Sequence, residues 1–145
     1  MSASFEFYKT VYQGGIDDEG NFLLYRQRAA EYISYITAGK ADPYLCCQQS
    51  GDEELDEKIQ KRVDLAVCAV ADQYVAVDAS KKSVMNGYSV NGGFLASESV
   101  GSHSRTFRSG YDVAKEAENA CYNVAASYLA WTGLMYRGMP CTRHT

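Results

Sequence analysis

The chain has 145 residues, 46% of them hydrophobic and 22% charged, with a net charge of −4 and an isoelectric point near 5.1. This is the composition of one globular domain with a core of its own rather than of a disordered chain or a membrane protein, and no run of about eighteen apolar residues occurs. The 14 Lys and Arg are scattered, so the electrostatic footprint of a phosphate-gripping protein is missing.

Ser4 can cap a short first helix that puts Phe5, Tyr8 and Tyr12 on one face before Gly14-Gly15 stops it. Asp17 and Asp18 offer N-caps for a second helix to about Ala38, with Phe22, Tyr25, Ala29, Tyr32, Ile33 and Ile36 at helical spacing and Gly39 as its stop. Residues 40–51, with Pro43 and Cys46-Cys47-Gln48-Gln49, read as a loop. A third helix opens at Asp52-Glu53-Glu54, where acids complement the helix dipole. Its apolar positions Leu55, Ile59, Val63, Ala66, Val70, Tyr74 and Val77 recur at intervals of 4, 4, 3, 4, 4 and 3.

After Asp78 that pattern fails. Asn86 to Gly110 is rich in Gly, Ser and Asn and reads as a long loop arm, with 94–100 and 103–107 able to form a hairpin around Gly101-Ser102. Ser109 or Asp112 then caps a last helix with Val113, Ala117, Ala120, Cys121, Val124, Tyr128 and Trp131 on one face, ended by Gly133. The expected fold is all-α: a small antiparallel bundle of three long helices plus a short N-terminal one, in one domain spanning 1–145, with a loop or β-hairpin between the last two helices. The tail from Leu134 to Thr145 is apolar and then polar. It can anchor an interface or fold back over the bundle.

The five cysteines are Cys46, Cys47, Cys68, Cys121 and Cys141. Their odd number, with an amino terminus that lacks the basic and apolar regions of a signal peptide, points to reduced thiols and synthesis in the cytosol. Their spacing, with His103 and His144, does not form the paired ligand pattern of a zinc site. His103 between Ser102 and Ser104 has no nucleophile elbow around it, and Asn91-Gly92-Gly93 lacks the lysine and helix start of a phosphate cradle. The acids of 52–57 read as a solvated first helical turn, and Lys81-Lys82 are too few for a nucleic-acid patch. Twelve tyrosines are unusual; half-buried core and interface are both open uses for them.

Four segments carry a family resemblance. They are Phe7-Tyr8-Lys9-Thr10-Val11-Tyr12-Gln13-Gly14-Gly15, Ala30-Glu31-Tyr32-Ile33-Ser34-Tyr35-Ile36-Thr37-Ala38-Gly39, Ala96-Ser97-Glu98-Ser99-Val100-Gly101-Ser102, and Tyr128-Leu129-Ala130-Trp131-Thr132-Gly133-Leu134-Met135-Tyr136-Arg137-Gly138. In their order and spacing the chain resembles the head-tail connector proteins, also called head completion or adaptor proteins, of long-tailed bacteriophages and prophages of Gram-positive hosts.

The resemblance implies a non-enzymatic virion protein, made in the host cytoplasm. It would form a ring of about twelve copies under the portal after DNA packaging. Its partners would be itself, the portal protein and a tail or second connector protein. DNA would pass through the channel without specific binding, and neither cofactor nor metal is implied. The candidate interface residues are Ser97, Glu98, Ser99, Val100, Gly101 and Ser102 in the loop, with Leu134, Met135, Tyr136 and Arg137 in the tail. The competing class is a small helical DNA-packaging or DNA-binding protein, which needs a basic helix face that the scattered cations do not make. A cysteine hydrolase, using Cys46 or Cys121, ranks third.

Overall fold

Side-chain caps start the first two helices in the computed structural model, which describes residues 3–46, 53–91, 97–100, 103–106 and 110–137. The Ser4 hydroxyl accepts from the Phe7 N–H at 3.1 Å and opens α1, Phe5–Phe7. The chain continues through a π-helical turn, Tyr8–Tyr12, until Gln13 enters the left-handed region at φ 61°. Gln13, not Gly14-Gly15, therefore makes the stop. Gly14 instead makes room for the buried ring of Tyr8, since a Cβ there would lie 2.0 Å from Tyr8 Cζ.

The Asp18 carboxylate accepts from the Asn21 N–H at 2.8 Å and opens α2, Glu19–Ile36. Its end is a double turn in which Ala38 N–H donates to the Tyr35 carbonyl and Gly39 N–H to the Ser34 carbonyl at 2.9 Å. Ala38 takes the left-handed position at φ 52° that glycine usually fills, and Gly39 follows at φ 79°. The segment expected to be loop contains a short helix, α3, Asp42–Leu45. Pro43 is compatible with it because a first-turn N–H has no acceptor within the helix, and Leu45 is buried.

The largest departure from expectation is α4, Glu53–Asn91, 39 residues long. Its backbone continues through 86–91, which the sequence pattern assigns to the loop arm. Once a helix is nucleated each further residue adds a bond cheaply, and the stretch after Asp78 holds no proline; Gly87 costs only about 1 kcal/mol. Strands β1, Ser97–Val100, and β2, His103–Thr106, pair antiparallel, with Ser97 opposite Thr106 and Val100 opposite His103. α5, Gly110–Leu129, follows.

The chain is mostly helical. Phe22, Ala29, Ile33 and Ile36 of α2, Val63, Ala66 and Val70 of α4, and Ala125 and Leu129 of α5 share one hydrophobic cluster with Tyr8. Tyr32 meets Tyr74 edge to face across α2 and α4, and Arg62 of α4 lies 5.5 Å from the ring of Trp131, just past α5. Helical spacing puts Trp131 on the buried seam, yet it is 50% exposed. The helix ends at Leu129, where the Thr132 N–H and hydroxyl both donate to the Leu129 carbonyl, and the turn swings Trp131 off the seam. Among the described residues no helix is long and apolar enough to cross a membrane.

Candidate interaction surface

Four tyrosines from the first half of the chain are tied to aspartates of α4 or lie beside them. The Tyr8 hydroxyl donates to the Asp72 carboxylate and accepts from the Ile16 N–H at 2.8 Å. Burial first, and then the Asp72 carboxylate, holds the Tyr8 and Tyr12 phenols protonated far above their ordinary range. Tyr44 donates to Asp56 at 3.1 Å, and Tyr25 donates to Asp78 at 3.1 Å. Asp78 also meets Arg28 at 2.9 Å. Burial pulls its carboxyl upward, but the Arg28 and Tyr25 hydrogen bonds outweigh that and hold it below the usual range. These tyrosines dock α2, α3 and the N-terminal turns onto α4.

At the far end of α2 the same residue type faces outward. The turn at 35–40 and the segment 134–137 enclose an open groove of about 470 Å³. Thr37 is buried there, its hydroxyl donating to the Ile33 carbonyl at 2.8 Å while accepting from the Ala41 N–H at 3.3 Å. This fixes one wall. The other wall turns at Gly133, φ 77°, where the Tyr136 N–H donates to the Gly133 carbonyl at 3.1 Å. Lys40 pins the walls together: its ammonium donates to the Tyr136 carbonyl and lies 5.8 Å from the Tyr136 ring. Tyr35 is 78% exposed and Tyr136 63% exposed. Among the described residues the lining carries Lys40 and Arg137 and no carboxylate.

The four candidate tail residues thus divide. Leu134 belongs to the buried cluster and the partly buried Met135 packs against it, so both cover the bundle while also lining the groove. Tyr136 and Arg137 are exposed. Of the candidate loop residues, Ser97, Glu98, Ser99 and Val100 form β1. Gly101 and Ser102 lie outside the described residues, as do Cys47, Cys141 and His144. Tyr35 and Lys40 join the surface although sequence reasoning does not place them in it. The signal for the first is that Tyr35 falls outside the helical spacing of Phe22, Ala29, Ile33 and Ile36; Lys40 carries none.

Cys68 and Cys121 are buried thiols held in the protonated form. Burial, reinforced by the Asp64 and Asp72 carboxylates, pushes the Cys68 thiol up to about 12, and burial also raises Cys121. Cys46 is exposed. Cys121 lines a second, smaller crevice of about 150 Å³ with Tyr32, Tyr74 and Val77, and Lys81 and Glu118 also contribute to its lining. Among the described residues no group of three or more His, Cys, Asp or Glu could hold a metal ion. No protein-family model, no curated protein and no solved structure matches this chain.

Proposed function

We propose that this is a structural virion protein, a head-tail connector that assembles as a ring beneath the portal, extends the DNA channel and docks the tail or the next connector. In this reading α2, α4 and α5 make a small antiparallel bundle, the β1–β2 pair between α4 and α5 is an arm, and the protein has no catalytic role. The observation that carries it is the groove at 35–40 and 134–137. It combines two exposed tyrosines with Arg137, residue types that anchor protein interfaces, and with the charge of Lys40, on a chain whose sequence resembles connector proteins over these segments. A net charge of −4 supports the reading too, because an acidic channel wall repels DNA and lets it slide.

The test is negative-stain electron microscopy of the purified chain with and without purified portal protein. Rings, alone or seated on the portal, are expected. Monomers that leave the portal bare at high concentration would contradict the proposal.

A further inference from the structure

We infer that the occupant of the groove is the first turn of α4 from a second copy of this chain. The inference rests on the ring reading above. A heterologous ring requires two different patches on each copy that fit one another. The groove is one such patch, apolar at its floor through Leu134 and Met135 and cationic through Lys40 and Arg137. Its natural complement is an acidic helix turn with an exposed apolar side chain.

The start of α4 has that composition. Glu54 and Glu57 are exposed, and Leu55 beside them is 48% exposed although it opens the apolar seam. At 100° per residue Glu54 projects between Glu57 and Leu55, so one end-on approach presents both acids and the leucine to a groove wall. Leu55 would pack on Tyr136 and Met135 while the acids meet Lys40 and Arg137. Glu54 does pair with Lys58 at 3.0 Å, but both side chains are largely exposed, so that contact is weak and exchangeable. Lys58 lies one turn further along and would remain at the rim.

Sedimentation velocity of the full chain over a concentration series, with and without portal protein, tests the pairing. Arg137→Glu, which leaves the Lys40 pin intact, and the double variant Glu54→Lys with Glu57→Lys should each weaken self-association about tenfold, the scale of one or two exposed charge pairs turned repulsive. Combining all three substitutions should bring association back above that of the Glu54→Lys, Glu57→Lys variant, because the carboxylate introduced at position 137 attracts one new ammonium while Lys40 still repels the other. Unchanged helical circular dichroism checks that each variant folds. Association that ignores the swaps, or that the combination fails to raise above the Glu54→Lys, Glu57→Lys variant, overturns the pairing and leaves the connector reading standing. A chain that stays monomeric even with portal present overturns both.

Discussion

At Tyr8 the phenol is fully buried and has both a built-in acceptor, Asp72, and a built-in donor, the Ile16 N–H; at Tyr136 the ring is 63% exposed and the hydrogen bonds run through the backbone carbonyl and N–H. The difference separates two uses of one residue type. A tyrosine whose hydroxyl is satisfied inside the fold contributes stability and specifies how the N-terminal turns sit on α4, whereas one left outside adds little to folding and supplies a large, stiff contact surface. The first region should thus respond to substitution through stability, and the second through association.

The comparison breaks most readily at Tyr8. Tyr8→Ala removes a fully buried ring that packs 4.4 Å from Phe22, centroid to centroid, and should cost about 3–5 kcal/mol in urea denaturation. A loss below about 1 kcal/mol would mean that the N-terminal turns are not part of the core. Gly14→Ala presses a methyl into the same ring and should cost on the order of 1–3 kcal/mol.

Alkaline pH sharpens the comparison. Burial raises Tyr8, Tyr12 and Tyr32 in the folded chain, Tyr32 to about 12, and Cys68 is likewise pushed to about 12, from ordinary values of 10.0 for tyrosine and 9.0 for cysteine. The unfolded chain then gives up protons first as pH rises. Stability should be fully present below about pH 9 and decline progressively from there towards pH 12, as followed by thermal melts; a flat profile over that window would contradict the burial of these groups.

Smaller effects are expected at the groove. Ala38→Gly relieves a left-handed alanine at φ 52° and should raise stability by up to about 1 kcal/mol, partly offset by the extra freedom of glycine when unfolded. Tyr136→Ser should leave stability within about 0.5 kcal/mol and reduce self-association, read by sedimentation.

Much of the helical frame is legible in the sequence because its causes are local. Ser4 and Asp18 cap the helices that their positions announce, and the inward faces of α2 and α4 follow their apolar spacing. Leu55, at the open end of that spacing, is the exception. What stays hidden is long-range or cooperative. The Tyr8–Asp72 bond joins residues 64 apart, and nothing in the local pattern marks Asp72 as an acceptor. α4 runs on to Asn91 because propagation is cheap once a helix exists, although its residues past Asp78 show no periodicity. The tail divides between core and surface only because the Gly133 turn and the Lys40 pin orient it.

Hydrogen–deuterium exchange of the chain alone and mixed with portal protein tests most directly whether the groove, rather than the Tyr8 region, is the contact surface. Mixing should newly protect backbone amides of 35–40 and 134–137, while the amides of the Tyr8 region, 8–16, exchange as they do in the free chain. New protection confined to 8–16, with the groove unchanged, would contradict that division.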